Sequence, residues 1–585
     1  MKTKSEPEKI LILCYLVIAA FLLLVMRLWQ LQILQGNEYR KLSEANRLRI
    51  VNIPAPRGII FDRNGTPLVK NSPYCYASVI PGEFDKAKIN LLAKVLGVPV
   101  EEIYERINVP GLSPFVPVRL KHGLSLGELA YIEARRSDFP GLIIEAEVNR
   151  EYTYGDVGSH LLGYLGKPSP SQSKEPAFRD VPPDMFIGQW GVEKLFDNSL
   201  RGIPGKRIIE VNALGREIRM LQETPPVKGT DMTLSIDINL QKEAEKAFGD
   251  RAGALVAIQP DTGEILGLIS KPSFDPNLFT KGIDSDTWIT ITEDKKNPML
   301  NRALQSQYPP GSTFKIVTAI AGLEEGVINP DTKVDCRGGI HYGKWNFGCW
   351  RKHGHGVVSL HRAIVESCDV FFYEVGKRLG IDRIYAYATG LGFGKKTGIE
   401  LGNERQGLIP NTEWKLEKKK LPWFLGETFN AAIGQGYVGV TPIQLAEMTS
   451  TVANGGILYK PTLIKGAKPI IYGKAKINPE NLENVKKGLF GVVNEPSGTG
   501  WASRSSLTNI AGKTGTAQVV TSKKGHYYAE EFRDHAWFVA FAPMEKPEIA
   551  LSVLVEHGGH GGTTAAPIAK TAIEAYMKSA HSLDR

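Results

Sequence analysis

The run from Ile10 to Met26, ILILCYLVIAAFLLLVM, carries no charge, and Leu28, Trp29, Leu31, Ile33 and Leu34 extend it past Arg27. A bilayer core is crossed by about 20 apolar helical residues. Residues 10–34 therefore read as a transmembrane anchor, with residues 1–9 as a short cytoplasmic tail. No small-residue cleavage site follows the run, which favours a retained anchor over a removed signal peptide. Lys2, Lys4 and Lys9 precede the span, while Arg27, Arg40, Lys41 and Arg47 follow it, so charge alone does not orient it. The short lysine-bearing tail points to an inside N-terminus and an exported C-terminal body. No second apolar run of this length is present.

The chain's 585 residues are enough for two or three domains, and 42% hydrophobic with 23% charged residues is an ordinary globular balance. The net charge of +9 is spread along the chain without an Arg/Lys block, so nothing argues for a nucleic-acid partner. An anionic lipid surface or acidic polymer suits it better.

Beyond the anchor, PRGIIFDRNG (56–65) reads as an extended segment closing on an Asn64-Gly65 hairpin turn. Helical patterns at Lys86–Leu96 and Leu124–Arg136 alternate with short strands, and residues 142–165 begin as a strand and end as a short helix. GQWGVE (188–193) opens a helix ending near Gly202. No nucleophile-and-base pair occurs through residue 225, and lone polar residues such as Asp62 and His160 read as structural. Residues 36–225 are expected to form an elongated, non-catalytic pedestal.

Composition changes near residue 230. A strand at Thr233–Asp237, a helix at Leu240–Phe248 and a buried hairpin of Gly253–Ile258 with Glu264–Ser270 come first. Helices at Leu360–Leu379 and Pro442–Ala453 follow, then strands at Asn509–Val520, His535–Ala542 and Ile549–Glu556, and a closing helix at Pro567–Lys578. Short connections make the late strands antiparallel. The expected fold class is α+β or α/β, an antiparallel sheet covered by helices, over residues 226–585.

Three motifs in this region carry chemistry. YPPGSTFK (308–315) is a proline-stiffened turn that opens an apolar helix and places Ser312 at its start. Ser312 and Lys315, three apart on a helix, face the same way, so a neutral Lys315 amine can take the serine proton. Ser367-Cys368-Asp369 falls inside the 360–379 helical pattern. There Ser367 can relay a proton to a leaving amine, and Asp369 can fix the loop or bind substrate. Lys513-Thr514-Gly515-Thr516 lies on a strand. Lys513 offers positive charge to a substrate carboxylate, and alternation puts Thr514 and Thr516 on one face to bind it. Gly515 leaves room for a peptide to lie alongside as an added strand. Backbone N–H groups of Ser312 and Thr516 are the candidate oxyanion hole.

S-x-x-K, then S-x-[N/D], then K-T-G, in that order, is the signature set of penicillin-recognising serine enzymes. With PRGIIFDRNG, REYTYG (150–155), GQWGVE, Asp275-Pro276-Asn277, the helix-opening Gly434-Gln435-Gly436, KTGTAQ and His535-Ala536-Trp537-Phe538, the chain resembles the class B penicillin-binding proteins over nearly its whole length. Asp369 and the His-Ala-Trp-Phe strand make it most similar to the elongation-type members. The resemblance implies a β-lactamase-like transpeptidase domain behind a pedestal of the dimerisation type. It also implies peptidoglycan D,D-transpeptidation of stem peptides through a Ser312 acyl-enzyme, and inhibition by β-lactams. The implied setting is the external face of the bacterial inner membrane, with cell-shape maintenance as the role. A RodA-type multi-spanning glycan polymerase is the implied partner within the elongation machinery. The motifs alone leave open a division-type transpeptidase, a D,D-carboxypeptidase or β-lactamase that passes the acyl group to water, and a β-lactam sensor. The pedestal and anchor favour transpeptidation, and the short tail argues against a sensor.

No cofactor is needed for this chemistry, but five cysteines are present, and Cys336, Cys349 and Cys368 cluster with His355. Three thiolates and an imidazole make a structural Zn2+ set, although the spacing is not C-x-x-C. A metal there would brace the catalytic helix against the glycine- and aromatic-rich 333–358 loop. A disulfide or unlinked small residues are the alternatives, with Asp335, His341 and His353 as reserve ligands. His557 and His560 in HGGHGG read as residues of a glycine loop near the cleft.

Overall fold

The computed structural model describes residues 6–109, 114–179, 181–182, 185–212, 217–280, 282–519 and 532–582. Chain contacts divide it into two compact units. The smaller comprises 1–57, 71–149 and 201–229, and the larger 58–70, 150–200 and 230–585.

In the smaller unit the apolar run folds as the helix Glu6–Trp29, part of a candidate membrane span Pro7–Leu34 with its side chains exposed. Leu48–Ile53, Gly205–Val211 and Glu217–Thr224 form a three-stranded antiparallel sheet with Gly205–Val211 in the middle. A separate core of Leu92, Leu96, Ile103, Leu120, Ile132 and Phe139 gathers short helices around three strands. The expected 86–96 and 124–136 helices are shorter, Ile89–Leu96 and Leu126–Ala134, each flanked by a 3-10 turn. Gly97 in left-handed conformation stops the first, and Ser125 with Glu128 caps the second as a reciprocal box.

The larger unit takes in two stretches that lie inside the pedestal span of 36–225. The reason is long-range pairing. Ile60–Phe61 pairs in parallel with Met232–Thr233. The buried Arg150 guanidinium donates to Glu193 Oε1 (2.7 Å) and to the Gly58 carbonyl (2.7 Å). PRGIIFDRNG, REYTYG and GQWGVE are thus parts of one structural knot. Asp62, fully buried, accepts from the N–H groups of Asn64, Thr66 and Ile238, and His160 Nε2 meets the Pro298 carbonyl at 2.8 Å. Both residues are structural, as expected.

Five strands form the main sheet: β1 (Gly253–Ile258), β2 (Ile265–Lys271), β3 (Ala511–Ala517), β4 (His535–Ala542) and β5 (Ile549–Val555). Their order is β2-β1-β5-β4-β3, antiparallel throughout. Alternation sorts each strand's residues between two cores. Ala536, Phe538 and Ala540 pack with α1 (Ile238–Phe248) and with Gly561–Ser582, while Trp537, Val539 and Phe541 face a mainly helical body. That body contains α2 (Lys315–Glu324), α3 (Leu360–Val365), α4 (Asp369–Leu379), α5 (Leu425–Ala432), α6 (Pro442–Ala453) and α7 (Pro479–Asn494). The last helix is α8 (Gly561–Ser582), which starts before Pro567 and carries it inside.

Four local expectations are corrected. The strand expected at Thr233–Asp237 is only Met232–Thr233 with an isolated bridge at Leu234, and the Asp237 carboxylate accepts from Asn239 and Leu240 N–H to start α1 at Ile238. The single helix at 360–379 is two, α3 and α4. Ser367 between them has φ +54°, a left-handed turn costing a non-glycine residue about 1–2 kcal/mol. Gly434-Gln435-Gly436 follows α5 instead of opening a helix, and both glycines have positive φ. The third strand ends at Ala517, and Val520 lies outside the described residues.

Candidate active site

Ser312 sits on a 3-10 turn, Gly311–Phe314, that runs straight into α2. Neighbouring backbone and the Trp537 indole clamp the turn on three sides. Tyr308 exchanges backbone hydrogen bonds with Val440 (2.9 Å each), Gly311 N–H donates to the Gly434 carbonyl (2.9 Å), and Trp537 Nε1 donates to the Pro309 carbonyl (3.0 Å). Gly311 has φ +55°, and a Cβ there would lie 2.5 Å from the Thr516 carbonyl oxygen and 3.1 Å from Thr516 N. Only glycine lets the turn and β3 approach this closely. Ser312 is half-buried between buried Gly311 and Thr313.

Behind it, Lys315 is 1% exposed, and its amine donates to three oxygens of the second motif: Asp369 Oδ1 at 2.7 Å, the Ser367 carbonyl at 2.9 Å and Ser367 Oγ at 3.2 Å. The left-handed Ser367 makes this convergence, turning its carbonyl and hydroxyl to the same side. The other Asp369 oxygen accepts from Trp350 N–H (2.9 Å).

Lys513 and Gly515 share the face of β3 turned toward the Ser312 turn. Lys513 is fully buried and donates to the Thr514 carbonyl (3.2 Å), so its amine is not presented on an open surface. Burial, and then the charge of Lys315, holds its pKa well below the ordinary lysine range. A Cβ at Gly515 would meet Pro310 O, Thr313 Cγ2 and Trp537 Cβ, each at 2.9 Å. The glycine is thus needed for packing inside the protein, apart from any use to a bound peptide. On the opposite face the Thr514 hydroxyl shares a hydrogen bond with that of Thr499 (2.7 Å), and Gln435 Nε2 donates to the Thr516 carbonyl (3.1 Å). Among the described residues β3 is the last strand of its sheet, so its outer edge can accept a peptide strand.

Ser312, Lys315, Ser367, Asp369, Lys513, Thr514, Gly515 and Thr516 thus fall in one site. Thr499 and Trp350 join it without having been singled out, and Gln435, named only within the Gly434-Gln435-Gly436 motif, joins it through its bond to Thr516. The only sequence hints were GQG, the glycine-flanked Ser497-Gly498-Thr499-Gly500, and the tryptophan following Cys349.

Beside the second motif, Cys336, Cys349, His355 and Cys368 are all buried, with their ligand atoms within 4.8 Å of one another. His355 Nδ1 lies 3.6 Å from Cys336 Sγ and 3.5 Å from Cys349 Sγ, and Nε2 is 4.0 Å from Glu366 Oε2. Tetrahedral Zn2+ with bonds of about 2.3 Å to sulfur and 2.0 Å to nitrogen puts such donors about 3.5 Å apart. The donor set therefore fits the metal, with a carboxylate outside it near the second imidazole nitrogen. The thiols are unlinked. A hydrogen bond from Cys368 holds the Cys349 thiol below the usual range while Cys368 is pushed up. Asp335 is exposed and paired with Arg337, and His341 and His353 are exposed, so none of the reserve ligands joins the set.

A serine on a tight turn, a buried lysine joined to a second serine, and a lysine-threonine strand at a free sheet edge define a serine acyl-transfer enzyme of the penicillin-recognising type. Comparison with known proteins agrees. Residues 253–574 match the penicillin binding protein transpeptidase domain, and residues 52–234 the penicillin-binding protein dimerisation domain. The peptidoglycan D,D-transpeptidase MrdA of Acinetobacter baumannii is 37% identical over 96% of this chain and 86% of its own length. MrdA of Escherichia coli K12 is 34% identical over 92% and 89%. Among solved structures, penicillin-binding protein 2 of Helicobacter pylori in complex with MreC has a TM-score of 0.76 at 31% identity, over 90% of this chain and 98% of that one. A structure described as a peptidoglycan synthase complex coordinating polymerization and crosslinking scores 0.75 at 32% identity, over 97% and 98%. The chain belongs to the class B penicillin-binding proteins, and within them to the penicillin-binding protein 2 group.

Proposed function

We propose that this chain is a peptidoglycan D,D-transpeptidase of cell-wall elongation and that Ser312 is its nucleophile. The observation that carries this is the buried Lys315 amine, held at once by Ser367 Oγ and Asp369 Oδ1 directly behind the Ser312 turn. With the Lys315 amine in its neutral form, Ser312 Oγ attacks the carbonyl carbon between the two terminal D-Ala residues of a stem peptide, and its proton passes to the lone pair of that amine. Asp369 stabilises the positive charge that the amine then carries. The oxyanion is held by the N–H groups of Ser312 and Thr516, whose backbones the Gly311 contact brings together. The C–N bond then breaks as Ser367 hands a proton to the departing D-Ala nitrogen and takes one from Lys315, which is left neutral again, and an ester remains on Ser312. An amine of a neighbouring stem attacks that ester, forms the cross-linking amide and returns the proton to Ser312. Thr514 and Thr516 bind the substrate carboxylate, and Lys513 supplies charge from beneath them once that carboxylate favours its protonated form.

β-Lactams acylate the same serine. The protein is anchored by residues 10–34 in the bacterial inner membrane with its body outside. Residues 36–225 serve as the pedestal and 226–585 as the transpeptidase domain, beside a RodA-type polymerase. Cys336, Cys349, His355 and Cys368 are the residues that would hold a structural Zn2+, whose role there would be to stabilise the fold beside α4, not to supply chemistry for acyl transfer.

Labelling with a fluorescent penicillin tests the nucleophile. The wild-type protein is expected to label and Ser312→Ala to lose labelling completely; a labelled mutant would remove Ser312. Purified protein given a stem peptide and an amine acceptor is expected to yield cross-linked product, whereas hydrolysis alone would make it a carboxypeptidase. Depletion in cells is expected to round them, and filaments would point to division.

A further inference from the structure

Ser367 must hold a strained left-handed conformation, φ +54°, for its carbonyl and hydroxyl both to reach the Lys315 amine. Something has to keep it there, since a non-glycine residue relaxes out of this region unless its surroundings prevent it. Two oxygens of this motif are held by one residue on another segment. The Trp350 indole Nε1–H donates to the carbonyls of both Glu366 and Ser367 (3.1 Å each), and Trp350 backbone N–H donates to Asp369 Oδ2 (2.9 Å). Ser367 O and Asp369 each accept one bond from Trp350 and one from Lys315. The indole ring edges His355 at 5.5 Å, yet the residue is 59% exposed, so its burial does not account for its place. Glu366 is fastened separately by Arg362 (2.6 Å) and Arg351 (3.3 Å).

We propose that Trp350 is a positioning residue for serine acylation: its indole N–H locks the Ser367 carbonyl and so sets the Ser367 hydroxyl on the Lys315 amine. This rests on Ser312, Lys315 and Ser367 being the acylation machinery. Trp350 touches neither the nucleophile nor the amine, and it acts only through the 366–369 backbone. Losing its indole bond lets Ser367 leave the left-handed well, which lowers the fraction of molecules with the hydroxyl in reach. Substrate binding at β3 is untouched, so the cost falls on the acylation step alone.

The test is rapid-mixing acylation of the full-length protein in detergent by a chromogenic cephalosporin, with the first-order acylation constant separated from the dissociation constant of the initial complex. Trp350→Phe keeps the ring and the backbone N–H but loses the indole donor. It is expected to slow acylation about tenfold, with the dissociation constant, Tm and bound metal within error of wild type. Trp345→Phe, on the neighbouring hairpin and 63% exposed, is expected to behave as wild type. If Trp350→Phe folds poorly, β-(3-benzothienyl)alanine at position 350 replaces only the N–H with sulfur and is expected to give the same tenfold loss. Wild-type acylation rates in either variant would overturn the proposal, as would a loss appearing only in the dissociation constant or only in step with a lowered Tm. A wild-type protein that is not acylated at all would instead overturn the assignment of Ser312.

Discussion

Asp369 divides its two oxygens between the Lys315 amine and the Trp350 backbone N–H. It thereby fixes the amine against the Ser367 hydroxyl while sitting just behind the site. Asp369→Asn keeps the shape but removes the charge that balances a lysine only 1% exposed. Leaving one partner of a buried pair uncompensated is costly to the fold, and loss of positioned proton transfer costs about 10²-fold or more in rate. The expected outcome is penicillin acylation slowed at least about a hundredfold together with a lower Tm, measured by gel fluorescence and thermal unfolding. Unchanged acylation would remove Asp369 from the mechanism. The residue types of this cluster are legible in the sequence because S-x-x-K, S-x-D and K-T-G are local patterns. The bond from Lys315 to Asp369 is not, since it joins residues 54 apart through a turn that no helical periodicity announces.

Between elements, the decisive contact is the 3-10 turn against β3, and two glycines permit it from opposite sides. Gly515→Ala would place a methyl group 2.9 Å from Pro310 O, Thr313 Cγ2 and Trp537 Cβ. Overpacking of this kind costs about 1–3 kcal/mol, and here it would push β3 off the nucleophile's turn. Acylation is expected to fall at least about tenfold with a modest drop in Tm; wild-type acylation would show that the approach is not needed. The Cys/His cluster is the second such contact, joining the 336–355 loop to the residue that precedes α4. Zinc is expected at about one per chain by elemental analysis, with Cys336→Ser abolishing it. Chelation is expected to lower Tm by about 5 °C or more while Ser312 can still be labelled in the folded fraction. Protein purified without metal at unchanged Tm would dismiss the brace. The cysteines are visible in the sequence, but their convergence needs two short hairpins to fold back on α3 and α4.

Across the whole molecule, burial of carboxyls away from the site sets part of the pH dependence of stability. Glu447 on α6 is buried beside the Glu404 carboxylate and accepts from the Tyr472 hydroxyl; burial pushes its pKa up to about 8 from 4.5. The folded state therefore holds a proton that the unfolded chain releases above pH 4.5. This stability is present in full below pH 4.5 and lost as pH rises through 8. His160 and His535, lowered by burial to about 4, act in the opposite sense, adding stability as pH rises from 4 toward 6.5. Comparing one variant with wild type isolates the glutamate. The Tm advantage of wild type over Glu447→Gln is expected to be larger at pH 5 than at pH 8.5, and an advantage independent of pH would show that the carboxyl does not titrate there.

At this scale the two sources of information separate cleanly. Apolar continuity, strand alternation and the three ordered motifs are properties of neighbouring residues, so the sequence by itself determined the apolar N-terminal span, most of the five sheet strands, and which serines, lysines and threonines belong to the candidate site. Tertiary structure alone decided matters that depend on distant segments. It drew Gly58–Lys70 and Arg150–Leu200 into the larger unit through the Arg150 bonds to Glu193 and Gly58. It also broke the 360–379 helix at Ser367, buried Lys513 beneath its strand, and brought Trp350, Gln435 and Thr499 to the site. The physical reason is that hydrogen-bond satisfaction and close packing act between residues far apart in the chain, where local propensity and spacing carry no information.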